Sequence, residues 1–232
     1  MKSSEPLCIR VSDKIKCIKC SSFSVIKNGK TKNQKQQYYC KSCGKRFIEF
    51  YSYKAYALEI NSQIVTFIKE GLGVRSIARI LKISTTTLLK RIVSIASLIK
   101  TPQISIGGKY EVDELCTYLG NKNNRIWIVY ALHKCSKKVV SFNIGKRTNK
   151  TISKVIDFLK LSNAKKIFTD RLQNYRSLIE NHIHSVKRYG TNHIERKNLT
   201  LRTHLKRLNR KTICFGRSLI ITFAVLKIYF WF

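Results

Sequence analysis

Negative charge is what this chain has least of. Its 232 residues carry 12 Asp and Glu against 46 Lys and Arg, a formal net charge of +34. Such an excess repels itself in a compact state and goes far beyond what solubility requires. It points to a polyanionic partner, with an anionic membrane surface as the other class it would attract. Long apolar runs are also missing. In SLIITFAVLKIYFWF, nine uncharged residues separate Arg217 from Lys227, short of the roughly 17 to 25 that a membrane span needs. A terminal core helix or strand is expected there, and no membrane partner. No N-terminal stretch shows the basic, apolar, small-residue order of a secretory signal, so the expected compartment is the reducing cytoplasm. Internal repeats and low-complexity segments are absent. Only two prolines occur, and one of them, Pro102, sits in TPQISIGG, where a helical pattern breaks; this is the best candidate domain boundary, near residues 100 to 108.

The eight cysteines are unevenly used. Cys8, Cys116, Cys135 and Cys214 are scattered, whereas Cys17, Cys20, Cys40 and Cys43 form two CxxC pairs. Nineteen residues lie between Cys20 and Cys40. A CxxC turn aims two thiolates at one ion, and two such turns on a short ribbon complete a tetrahedral four-sulfur site for Zn2+. A redox pair is the poorer reading, since there are two pairs. The ribbon could be purely structural or could contact nucleic acid with its lysines. GKRF at 44 to 47 reads as a returning strand, with Phe47 covering the metal site.

From Tyr51 the apolar period lengthens. Leu58, Ile60, Ile64, Val65, Phe67 and Ile68 mark an amphipathic helix ending near Gly71. In GVRSIARILKISTTTLLKRIVS, Ile77, Ala78 and Leu81 line a short helix, Ile83 plugs the turn, and Ser84 can cap a second helix carrying Leu88, Leu89 and Ile92. Two helices joined this way make a helix-turn-helix, with Thr85, Thr86, Thr87 and Lys90 expected on the DNA side. An ordinary helical pair in a core is the plainer alternative.

Beyond residue 108 the elements alternate. KYEVDELCTYLG, RIWIVYALH and VVSFNIG read as three strands with close connections, hence antiparallel neighbours. TISKVIDFLKLS reads as a helix, KKIFTD as a strand, LQNYRSLI as a helix and HSVKRYG as a fifth short strand, followed by a helix in TNHIERKNLTLRTHLKRLNRK. The expected fold class is α/β with a mixed sheet.

With so few acids, their positions matter. Asp113 falls in the first strand of this region, Asp170 at the end of the fourth, and Glu195 in the following helix after 24 intervening residues. Three converging carboxylates would repel unless divalent ions neutralised them, and an all-oxygen site suits Mg2+ or Mn2+. Two such ions can drive an in-line phosphoryl transfer on the polyanion that the basic residues hold. Each acid also has an ordinary alternative. Asp170 could cap a helix, Glu195 could pair with Arg196 or Lys206 in solvent, and Glu111, on the strand face of Asp113, could be a surface acid or a supporting group.

The two CxxC pairs, GLGVRSIARILKIS, EVDELCTYLG, FTDRLQNY and KRYGTNHIERKNLTLRTHLKRLNRKTICF, in this order, closely resemble the transposases of the IS1 family of insertion sequences. The resemblance implies a zinc ribbon or finger (1–50), a helix-turn-helix DNA-binding domain (51–100) and a ribonuclease H-like catalytic domain (101–232). It implies that Asp113, Asp170 and Glu195 are the DDE acids and hold Mg2+ or Mn2+. It also implies terminal inverted repeats and target double-stranded DNA as partners, strand cleavage followed by strand transfer, and a homo-oligomer when two ends are brought together. Arg196, Lys197, Arg202 and Lys206 are expected to meet phosphate, and the protein to associate with chromosomal or plasmid DNA. Cys116 stands where relatives often have Trp, and Arg171-Leu172 where they have Gly-Trp. Two other readings stay open: a non-catalytic zinc-containing helix-turn-helix regulator or transposition inhibitor, in which the three acids would lie apart, and a metal-dependent nuclease or resolvase without strand transfer.

Overall fold

The computed structural model describes residues 15–48, 59–212 and 214–232. The chain divides into two compact units, Met1–Tyr56 and Ala57–Phe232. Leu58, expected on the first helix, lies outside the described residues.

The first unit is a three-stranded antiparallel ribbon in the order β1 (Val25–Lys30), β2 (Gln36–Cys40), β3 (Arg46–Ile48). Each CxxC forms a tight knuckle closed by a backbone bond, Ser21 N–H to Cys17 O and Gly44 N–H to Cys40 O, both 2.9 Å. The chain leaves each knuckle through positive φ, 56° at Ser21 and 68° at Gly44. Alternation along β2 puts Tyr38 and Cys40 on one face, where they are buried with Cys17 and Phe47. Phe47 thus covers the cysteines as expected from the sequence.

The second unit begins with α1 (Ile60–Lys69), α2 (Val74–Leu81) and α3 (Thr85–Leu98). α2 stops at Lys82, which takes the left-handed conformation (φ 52°), and the Ser84 hydroxyl accepts the Thr87 N–H at 3.0 Å to start α3. Ile77, Ala78, Leu81, Ile83, Leu88 and Ile92 are buried, so the segment is a helix-turn-helix. Gly71 joins α1 to α2 at φ +76°, and an added Cβ there would stand 2.2 Å from the His204 carbonyl oxygen. Only glycine fits that approach.

The sheet follows: β4 (Lys109–Leu119), β5 (Asn121–His133), β6 (Val139–Gly145), β7 (Lys166–Phe168) and β8 (His184–Ser185), in the order β6-β5-β4-β7-β8. β4, β5 and β6 pair antiparallel, while β7 and β8 join in parallel. Three antiparallel strands extended by two parallel ones, with helices on both faces, form a ribonuclease H-like mixed sheet. On one face Tyr110, Val112, Val129, Ala131 and Val140 pack against Ile152, Val155, Ile156 and Leu159 of α4 (Asn149–Leu161) and Tyr175 of α5 (Gln173–Leu178). The opposite face receives α6 (Asn192–His204) and α7 (Leu219–Trp231).

α7 is the SLIITFAVLKIYFWF run, a core helix as the interrupted apolar stretch suggests. Its Phe223, Phe230 and Trp231 rings meet Phe142, and the Trp231 indole N–H donates to Val139 O at 2.8 Å. On its other side α7 packs against α1 and α3. An apolar surface all around the helix is what a position between sheet and helix-turn-helix demands. Among the described residues no helix is long and apolar enough to cross a membrane.

Candidate active site and metal centres

The site arises where two strands part. β4 and β7 run parallel, and their pairing ends at Glu111 opposite Phe168. To one side of β4 the chain continues through β5 and β6, to the other through β7 and β8. The crevice beyond the carboxyl end of β7, alongside the middle of β4, is therefore the switch point of the sheet, where open α/β folds hold ligands. Asp113 and Asp170 both project there. One carboxylate oxygen from each of Asp113, Glu114 and Asp170 lies within 4.8 Å of the others.

Asp113 is held from two sides. Its Oδ1 accepts the Glu114 N–H at 2.8 Å, and its Oδ2 accepts Asn198 Nδ2 at 2.6 Å. Asn198 is in turn fixed by the Tyr130 hydroxyl, which donates to Asn198 Oδ1 at 2.8 Å. Burial pushes the Asp113 carboxyl up to about 6, and the Asp170 and Glu195 charges push the same way. Asp170 is exposed, and its Oδ1 accepts the Leu172 N–H at 3.0 Å. That bond closes the turn ahead of α5, whose N-cap is Leu172 with no side-chain cap, so Asp170 stands at the crevice and does not cap the helix.

Glu195 sits in the first turn of α6 and is exposed, with its Oε1 accepting from the Thr191 hydroxyl at 2.7 Å. Its charge reaches Asp113, yet among the described residues the close cluster contains Glu114 in its place. The solvent ion pair with Arg196 or Lys206 does not form. Glu111, for which the sequence left a surface acid or a supporting group open, is fully buried and takes the supporting place. His193 Nδ1–H donates to its Oε1 at 2.7 Å, Ile194 N–H to its Oε2 at 2.9 Å, and Lys134 Nζ stands 3.4 Å from Oε1. A carboxylate buried against the positive end of α6 locks the helix that carries Glu195 and Asn198 to β4.

Sequence reasoning did not single out Glu114, Tyr130 or Asn198. Asn198 follows Glu195 by one helical turn, and that spacing was its only signal. Glu114 was hidden by strand alternation, which puts it on the opposite face from Asp113; both carboxylates nonetheless reach the edge that β7 leaves open. The Glu114 side chain is 1% exposed, and Arg147 Nε lies 3.9 Å from its Oε1. Burial pushes Glu114 up to about 7, with Arg147 opposing and the Asp170 and Asp113 charges adding.

The basic residues divide. Thr85, Thr86 and Lys90 are exposed on α3, whereas the Thr87 hydroxyl is 2.8 Å from that of Ser84 and belongs to the cap. Arg196 and Lys206 are exposed. Lys197 is half-buried near the Tyr229 ring, and burial lowers its pKa. Arg202, expected on the phosphate side, turns inward: its guanidinium donates to Leu208 O at 3.0 Å and Cys116 O at 3.2 Å. An arginine that ties the turn after its helix to β4 through two carbonyl oxygens has little left for phosphate.

In the first unit Cys17 Sγ and Cys43 Sγ are 3.6 Å apart, as are Cys20 Sγ and Cys40 Sγ, and all four sulfurs lie within 4.8 Å of one another. Zn–S bonds of about 2.3 Å at tetrahedral angles place sulfurs about 3.8 Å apart. The Lys19 N–H points at Cys17 Sγ from 3.4 Å, a contact that favours the thiolate.

The family profile for IS1 transposase matches residues 109–231. The chain belongs to the IS1 transposase family. It is accordingly a metal-dependent DNA transposase of the DDE class. The insertion element iso-IS1n protein InsB of Shigella dysenteriae is 36% identical over 111 residues, covering 48% of this chain and 85% of that protein. The insertion element IS1 2 protein InsB of Escherichia coli (strain K12) is 35% identical over 108 residues, or 47% of this chain and 65% of that protein. A simian T-cell lymphotropic virus intasome structure aligns at 16% identity and a TM-score of 0.37, over 70% of this chain and 66% of that one; at that level the fold is judged from strand order alone. The profile match covers the sheet unit from β4 to α7, and the ribbon, α1, α2 and α3 lie outside it.

Proposed function

We propose that this IS1-family transposase binds the terminal inverted repeats of its element, cleaves at the element ends and joins the freed 3′-hydroxyl to target DNA. The observation that carries the reading is the convergence of Asp113 and Asp170 at the switch point of the sheet, their carboxylates within 4.8 Å. Such convergence favours catalysis over a regulator that binds DNA without cutting it.

Asp113, Asp170 and Glu195 are the catalytic acids in this reading, and the aspartates would hold Mg2+ or Mn2+. When bound, a pair of such ions activates the attacking oxygen and stabilises the leaving one. The rest falls to the chain itself. Asn198 fixes the orientation of Asp113 through its Oδ2. Glu111 keeps α6 seated on β4, which sets the reach of Glu195. Thr191 holds Glu195 at the lip of the crevice until the scissile phosphate arrives. Exposed Arg196 and Lys206 meet the phosphate backbone beside the acids, while Thr85, Thr86 and Lys90 read the groove. The basic surface steers DNA, and the acids act only where it is held.

The four cysteines are assigned to Zn2+, supported by sulfur spacing and by the unpaired state of all four. Segments 1–50, 51–100 and 101–232 are assigned to ribbon, recognition and catalysis. Joining two element ends to one target calls for at least two copies of the chain, acting where the DNA is.

The test is to incubate purified protein with end-containing DNA, a target plasmid and Mg2+, comparing wild type with Glu195→Gln. Joined products are expected from wild type only. Equal joining by the Gln variant would remove Glu195 from the mechanism, and cleavage without joining by wild type would favour a nuclease.

A further inference from the structure

The carboxylate pair at the crevice has a third member that the sequence pattern did not assign. Glu114 is buried, its side chain 1% exposed, and its Oε1 has no hydrogen-bond partner. The nearest cation, Arg147, places its Nε 3.9 Å from that oxygen, beyond hydrogen-bonding distance. The Arg147 guanidinium is itself drawn over the Trp127 ring, 4.4 Å from its centroid. The buried Tyr175 hydroxyl is the neighbouring donor, close enough to draw the Glu114 pKa down, though it closes no full hydrogen bond on Oε1. Tyr175 and Arg147 both stand near Glu114 without closing a hydrogen bond on Oε1, and a buried carboxylate oxygen left so is rare unless something further satisfies it. One Glu114 oxygen lies within 4.8 Å of oxygens from both Asp113 and Asp170, so one cation can reach all three.

We propose that Glu114 is a direct ligand of the divalent ion held by Asp113 and Asp170, completing a three-carboxylate site before DNA is bound. This rests on the reading that the two aspartates hold the metal. Glu195, bonded to Thr191, lies outside this set and contributes at a later stage. Opposite-face projection from one strand makes the arrangement possible: Asp113 comes from the α6 face and Glu114 from the α5 face, and the ion sits at the edge between them. Hard oxygen donors from three carboxylates fit Mn2+ or Mg2+ and disfavour soft metals.

The experiment titrates Mn2+ alone into the zinc-loaded full chain without DNA, following loss of the free-ion EPR signal, for wild type, Asp113→Asn, Glu114→Gln and Glu195→Gln. Asp113→Asn should abolish the tight site. Glu114→Gln should weaken it at least tenfold, and Glu195→Gln should change it less than twofold. Retention of the site in Asp113→Asn would overturn the underlying reading. Its loss there, with wild-type affinity in Glu114→Gln, would overturn this inference alone. Melting without Mn2+ separates ligation from packing. A ligand held in waiting makes Glu114→Gln melt at or above wild type, whereas a melt well below it would mark Glu114 as the structural partner of Arg147. Glu114→Asp, which withdraws the charge by one methylene, should also weaken Mn2+ at least tenfold; wild-type affinity in that variant would count against direct ligation.

Discussion

Replacing Glu111 by Gln isolates the tie between α6 and β4. The carboxylate is fully buried and receives Ile194 N–H at 2.9 Å, His193 Nδ1–H at 2.7 Å and the Lys134 ammonium at 3.4 Å. Gln keeps the shape but has one acceptor. If its carbonyl faces Ile194 N–H, its NH2 faces the imidazole and the ammonium; if it turns around, an orphaned donor is left at the helix N-terminus. Hydrogen bonds to charged groups contribute about 1.5 to 3 kcal/mol each, and breaking a buried pair costs about 3 to 5 kcal/mol. One charged bond lost, with Lys134 left opposing a neutral group, gives an expected loss of about 2 to 4 kcal/mol. Both tryptophans, Trp127 and Trp231, lie in the sheet unit, so their fluorescence during urea unfolding reports it directly. Glu180→Gln, at an exposed pair with His182, serves as the control and should leave the midpoint unchanged. A loss below about 1 kcal/mol for Glu111→Gln would refute the claim that this carboxylate seats the catalytic helix, since a buried charge-assisted contact cannot be that weak.

Other perturbations have equally direct readouts. Gly71→Ala must relieve both φ +76° and a Cβ contact of 2.2 Å with His204 O; it should destabilise the sheet unit by about 2 kcal/mol or more, measured by the same unfolding. Burial raises the Glu114 pKa from 4.5 to about 7. In the metal-free protein its stabilising effect is therefore complete below about pH 4.5 and lost as the pH rises through about 7. The stability gained by Glu114→Gln over wild type should grow across that window, and a pH-independent difference would contradict it. Ser84→Ala removes the cap on α3 and should cost about 1 kcal/mol and weaken DNA retention in gel shift. Cys40→Ser leaves three sulfurs at the first site, and zinc release followed with a colorimetric chelator should occur at far lower chelator concentration than in wild type.

Much of the fold was legible because its elements follow simple periods. The three antiparallel strands, α4 and the Ser84-capped α3 are each written in local patterning and turn chemistry. The order of β7 and β8 beside β4 was not, because parallel pairing depends on contacts distant in sequence, and both strands are very short. At the crevice, Asp113 and Asp170 stood out because acids are scarce. Glu111 and Glu114 did not, although they are as rare. Their roles depend on which residues bury them, Ile194 and His193 in one case and Tyr175 in the other, and alternation along β4 gives only the face. Arg202 misled for a similar reason: a basic residue on a basic helix gives no sign that its guanidinium is engaged by the carbonyls of Leu208 in the following turn and Cys116 on β4.

α7 has a consequence for DNA geometry. Because one helix is packed against both the sheet and α1 and α3, the reading head and the cutting crevice belong to one frame. For DNA bound as proposed, the separation between the recognised base pairs and the cleaved phosphate is then a fixed length, measured by protein. Inserting one base pair between them moves the phosphate by about 3.4 Å along the axis and rotates it by about 35° around it. That displaces the scissile bond from the acids while leaving recognition intact. The element's end would be defined by distance from a bound sequence, with no requirement that the terminal base itself be read.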